Sequence, residues 1–232
     1  MPFRRTIVLL CVLLALLLVG YLWLQHVASQ QRDGGASGVT VDKQAETFAQ
    51  RSFDPAAPPS DMPPMEPGEE AFCDTNFVSN VNVGGNATKI DETHEIVTIT
   101  QVTVTLGLVI TNWVPNGAMQ HVIDHEQGHR QISEFYYQSA DKLAARIAAA
   151  YIGRKDYVSG ADLQAETSKS LQQSGAEITD EYDKELNPGP AQERYDAITD
   201  HARNDVGAQD AVAMVLRDAA AASNSPGANA GN

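Results

Sequence analysis

The chain has 232 residues, enough for one ordinary domain with appendages. Its formal net charge of −14 repels nucleic-acid phosphates and anionic lipid headgroups, which excludes nucleic acid as a partner. With two cysteines, one of them inside an apolar run, a fold stapled by disulfides is excluded as well.

Ile7 to Leu24 is an unbroken run of eighteen apolar residues behind Arg4 and Arg5. As a helix it would measure about 27 Å, close to the roughly 30 Å of a bilayer's hydrocarbon core. A secretory signal's apolar stretch is shorter, about 7–15 residues. Residues 1–26 are therefore expected to be a transmembrane anchor in the inner (cytoplasmic) membrane. The arginines stay cytoplasmic and the rest of the chain faces the periplasm. Val27-Ala28-Ser29 is a passable cleavage site, so the alternative is release into the periplasm after signal removal. The first 26 residues hold two arginines and no acid, so the −14 becomes −16 beyond them. Cys11 lacks the preceding small residues of a lipoprotein signal. Cys73, the only exported cysteine, reads as a small buried hydrophobe, with an intermolecular disulfide as the alternative.

Residues 27–70 are rich in Gln, Gly, Ser, Pro and charge and read as a flexible linker, stiffer towards its proline-rich end. A short helix over Val41 to Arg51 is an option within it. The domain proper is expected over 71–221. Phe77 to Val83 alternates like a short strand, and Gly84-Gly85-Asn86 turns the chain. Glu95 to Trp113 is nearly all Val, Ile, Thr and Leu, which fits two strands broken near Gly107 or one long bent strand. After Pro115-Asn116-Gly117, apolar residues at helical spacing (Val122, Ile132, Phe135, Leu143, Ile147) mark a helix from about Ala118 to Tyr151. Further helices are expected over Ala161–Asn187, Ala191–Asn204 and Val206–Ala221, with residues 222–232 a disordered tail. Antiparallel strands first and helices afterwards make an α+β domain.

Inside the long helix stands His125-Glu126-Gln127-Gly128-His129, an HExxH pattern. Residues four apart on a helix are offset by about 40° and rise about 6 Å, so both imidazoles can close on one zinc ion. Glu126 is too far round to ligate comfortably and suits the general base that takes a proton from water at the ion. Gly128 suggests close approach of another backbone or of the metal's other ligands, because glycine costs about 1 kcal/mol relative to alanine inside a helix, with simple tolerance of a small residue as the alternative. His121 shares the stripe, but it lies about 12 Å along the axis from His129, so it reads as a supporting or surface histidine.

A catalytic zinc takes a third protein ligand and keeps one position open. Tyr195-Asp196-Ala197-Ile198-Thr199-Asp200-His201 is the richest source. His201 is the first choice, Asp196 the second and Asp200 the third. Tyr195 reads either as a catalytic donor to an oxyanion or as a core aromatic with a hydrogen-bonded hydroxyl.

HEQGH followed by Tyr-Asp-x-x-Thr-x-His resembles a bacterial family of predicted secreted zinc-dependent proteases. The resemblance spans about Phe72 to Leu216 and concentrates in Trp113, His125–His129, Tyr195, Asp196, Thr199 and His201. It implies a zincin-like fold of gluzincin or aspzincin type. Arg130 departs from the aromatic usual after the second histidine, and Ala202 from the glycine usual after His201.

The expected function is a membrane-anchored zinc metallopeptidase that hydrolyses protein or peptide substrates in the periplasm, with cell-wall peptides as a substrate option. The strand ending at Trp113 would offer an edge to an extended peptide. The alternative is a non-catalytic envelope protein whose metal site is structural and whose helices bind a partner.

Overall fold

The computed structural model describes residues 38–65 and 69–223. The expected anchor, its cleavage alternative and residues 224–232 of the tail lie outside them. Among the described residues no helix is long and apolar enough to cross a membrane.

The sheet is built on one strand. β4 (His94–Pro115) runs 22 residues with a β-branched composition that suits a half-buried pleated surface. Val102, Val104, Leu106, Leu108 and Ile110 point into the core, while the intervening Thr103 and Thr105 lie half-buried on the other face. β3 (Phe72–Lys89) pairs antiparallel along nearly the whole of β4. The opposite edge of β4 is shared by three short strands. β5 (Lys155–Ser159) is antiparallel to the start of β4. β1 (Val39–Lys43) and β2 (Thr47–Phe53) lie parallel to its middle and end.

The α+β class holds, but the sheet is mixed rather than antiparallel. The cause is the stretch read as a linker. Residues 27–70 contribute both parallel strands, and no helix forms over Val41 to Arg51. Apart from Phe53, every side chain of β2 is exposed. Its backbone pairing with β4 makes the strand, and composition does not report that pairing.

β4 is a single strand with no register shift at Gly107. The irregularity falls where Gly84 faces Gln101 and Gly85 faces Ile99, so Thr100 is skipped. Such a bulge exchanges the two faces, and the buried set accordingly passes from Val97 and Ile99 to Val102 and Val104. A Cβ on Gly85 would stand 2.8 Å from the Thr98 carbonyl oxygen, which explains the glycine. Gly84-Gly85-Asn86 is therefore a bulge region inside β3, not a turn. The chain reverses at Ile90–Thr93, where the Asp91 carboxylate accepts from the Thr93 N–H at 2.8 Å.

The expected long helix is two: α1 (Gln120–Gln138) and α2 (Ala140–Tyr151). They part at Ser139, where Lys43 Nζ donates to the Gln138 carbonyl at 2.8 Å. α3 (Leu163–Leu186) opens on Asp162, whose carboxylate accepts from Ala165 N. α4 (Gly189–Thr199) has a proline in its first turn, and α5 (Ala208–Ser223) completes the set. One core lies between the inner sheet face and α1, α2 and α3. A second joins Ile132 of α1 with Ala191 and Tyr195 of α4 and Ala211, Val212 and Val215 of α5. That second core holds α4 against the HExxH segment.

Candidate metal centre

α1 carries the pattern and α4 answers it. His125 and Glu126 are buried, and both imidazoles project from the face of α1 that meets α4. On α4, Gln192, Tyr195, Asp196 and Thr199 follow the i, i+3, i+4, i+7 spacing of a single stripe. Packing the two helices therefore brings two imidazoles against a carboxylate.

The approach is tight. His125 Nε2 and His129 Nε2 lie 3.1 Å apart, and Asp196 Oδ1 stands 3.2 Å from the first and 2.9 Å from the second. Two ligands of one tetrahedral zinc, each at about 2.0–2.1 Å, lie about 3.3 Å apart. Asp196 Oδ1 is buried, and among the described residues its contacts with the two imidazole nitrogens are not aligned as hydrogen bonds. Three Lewis bases converging without a hydrogen bond to the oxygen fit a shared cation. His125, Asp196 and His201 also each offer one ligand atom, all within 4.8 Å of one another, so this group could hold a metal ion.

Both leading candidates for the third ligand are thus brought in. Asp196 closes the tight triangle, whereas His201 Nδ1 stands 3.6 Å from Asp196 Oδ1 with its side chain 43% exposed. Asp200 is not brought in. It sits at the end of α4 in the left-handed region (φ 47°), and its carboxylate accepts from Arg203 at 3.0 Å. His201 (φ 52°) and Ala202 (φ 65°) continue that conformation. A glycine at residue 202 would adopt it without strain.

Tyr195 is placed under the site rather than in it. It is fully buried, and its hydroxyl donates to the His125 carbonyl oxygen at 3.1 Å. Its ring stacks on His125 at 4.9 Å and meets His129 edge-on at 4.9 Å. The catalytic-donor reading is therefore replaced by the core-aromatic one. The same ring explains Gly128, since a Cβ there would lie 2.1 Å from the Tyr195 hydroxyl oxygen.

The electrostatics follow from burial. Glu126 is 3% exposed and its Oε2 has no hydrogen-bond partner among the described residues. Burial pushes its carboxyl up to about 7, with His129 opposing and Asp196 and Glu69 adding. Burial also pushes Asp196 up, but contact with His125 and His129 outweighs it and holds the carboxyl well below its usual range. Burial lowers His125. In His129 burial also pulls downward, but Asp196, Glu126 and Gln192 together leave a net rise.

A cleft of about 600 Å³ opens over these groups. Glu126, His129 and Asp196 line it from the helices, and Phe72, Cys73, Thr75 and Phe77 from β3. His121 is exposed at its border. Trp113 offers no edge to a peptide, because it pairs with Phe72 on one side and Arg51 on the other. The strand beside the cleft is β3. Arg130 takes an aromatic contact instead of providing one, with its guanidinium 3.8 Å from the centre of the Phe48 ring.

Sequence reasoning missed Gln192, whose amide meets His129 and Ser133. The signal was its place one turn before Tyr195-Asp196 on the same helical stripe. No protein-family model, curated protein or solved structure matches the chain.

Proposed function

We propose that the chain is a zinc-dependent metallopeptidase acting on protein or peptide substrates. In this reading the Ile7–Leu24 run anchors it in the inner membrane with the domain in the periplasm. The observation that carries the activity is the convergence of His125 Nε2, His129 Nε2 and Asp196 Oδ1 within 2.9–3.2 Å of one another. These three residues would hold the ion, in the manner of an aspzincin, with His201 at the rim of the cleft.

A bound zinc supplies a Lewis acid that polarises the scissile carbonyl and makes a water easier to deprotonate. Glu126 removes a proton from the attacking water as its oxygen bonds to the carbonyl carbon. When the C–N bond breaks, Glu126 delivers that proton to the leaving amine. Glu126 suits both halves because it follows His125 directly on α1 and its carboxyl lines the same cleft. An extended substrate would lie along the edge of β3 that pairs with no strand among the described residues, at Phe72–Phe77.

Glu126→Gln should retain zinc and lose peptide cleavage by about 10²-fold or more, read by metal analysis beside a fluorogenic peptide library. Undiminished turnover would refute the mechanism. A second reading, a structural metal in a non-catalytic envelope protein, draws on His201, which makes a fourth donor available. Zinc-loaded wild-type protein that cleaves nothing, yet loses thermal stability on chelation, would favour it.

A further inference from the structure

The two imidazoles are usable as ligands only if each carries its proton on the nitrogen facing away from Asp196. We infer that Gln192 and Thr199 are positioning residues that set this tautomer before any metal arrives. The inference rests on the proposed metal site but concerns the protein without metal.

Each partner has a fixed role. The Gln192 amide nitrogen donates to the His129 carbonyl oxygen at 3.1 Å and to Ser133 Oγ at 2.9 Å. Its Oε1 is thereby turned to His129 Nδ1, 2.7 Å away, and an amide oxygen can only accept. His129 must therefore carry its proton on Nδ1. Thr199 has a single hydroxyl proton, which goes to the Tyr195 carbonyl at 2.9 Å. Its oxygen is left to accept from His125 Nδ1 at 3.3 Å. In the neutral rings both Nε2 atoms then present lone pairs towards Asp196 Oδ1, a crowding of three bases that a cation relieves. A ring that takes a second proton instead donates it from Nε2 to that carboxylate. The same stripe of α4 that supplies the carboxylate thus orients both rings, with Tyr195 stacked beneath His125. Partners of this kind affect metal affinity about 10–100-fold.

The test is the tautomeric state of the metal-free, full-length protein in detergent at pH 8.5, read by ¹⁵N NMR of the two imidazoles. The expected result is Nδ1–H in both. Gln192→Leu should shift His129 alone towards Nε2–H, and Thr199→Val should shift His125 alone. Gln192→Glu keeps the acceptor but loses both donated bonds, so it should restore the Nδ1–H form. A merely structural Gln192 would fail equally in both variants. In chelator competition, Gln192→Leu and Thr199→Val should each weaken zinc binding about 10-fold or more. An Nε2–H form in the wild type, with one ring donating to the other across their 3.1 Å gap, would overturn the inference. So would an unchanged tautomer in either variant. Correct tautomers in a protein that binds no zinc would leave the inference standing and remove the metallopeptidase reading.

Discussion

Gly128 and Tyr195 fix each other's identity. The tyrosine ring occupies the space a side chain at residue 128 would need, with its hydroxyl oxygen 2.1 Å and Cζ 2.4 Å from an added Cβ. Neither atom is the loose end of a flexible chain, because the hydroxyl is bonded to the His125 carbonyl. Gly128→Ala should therefore cost about 1–3 kcal/mol by urea unfolding, the usual range for overpacking. A loss below about 0.5 kcal/mol, typical of open surface positions, would contradict the packing. Cys73 makes a second residue-scale case. It borders the cleft, but burial pushes its thiol up to about 12. Since the thiolate is the nucleophile, alkylation by iodoacetamide at pH 8 should be far slower in the folded protein than in urea. Equal rates would show the thiol to be accessible and acidic.

At the scale of the element, β2 separates the two readings of residues 27–70. A linker residue can be truncated at little cost, whereas Phe53 is buried at the end of a strand paired to Val114 and Pro115. Phe53→Ala should cost about 3–5 kcal/mol, the range for core phenylalanine truncation, in thermal or urea unfolding. A cost under 0.5 kcal/mol would return the segment to the status of a tether. α4 shows a different economy of sequence. One stripe of it supplies a proposed ligand (Asp196), two ring partners (Gln192, Thr199) and a packing anchor (Tyr195), so its rotation about its own axis sets the whole site. The left-handed turn from Asp200 to Ala202 then carries His201 back towards the same point.

Across the whole molecule, the site joins α1 to α4, about seventy residues later in the chain, and a bound cation would cross-link them. Ligand binding to the folded state alone stabilises it by about 4 kcal/mol at a thousandfold excess over Kd. Zinc should therefore raise the melting temperature of the metal-free protein by several degrees, and His129→Ala should abolish that rise. No change on adding zinc to the wild type would count against a cation between α1 and α4. Much of this was legible in residues alone. HEQGH named its own two histidines and glutamate, because a helical pattern fixes which side chains share a face. The Tyr195–His201 block was legible as the answering segment because chemistry-bearing residues are dense there. β4 declared itself by β-branched content. Other features were not local properties. Whether β1 and β2 form depends on the edge that β4 offers them, and an exposed strand has no compositional mark. Whether Tyr195 faces a substrate or the underside of α1, and whether Asp196 or His201 lies nearer the two imidazoles, depends on how α4 is rotated and docked. Sequence determined the donors on each helix, since periodicity is written in the chain. Their distances, and the burial that shifts Glu126, were decided by packing between helices far apart in it.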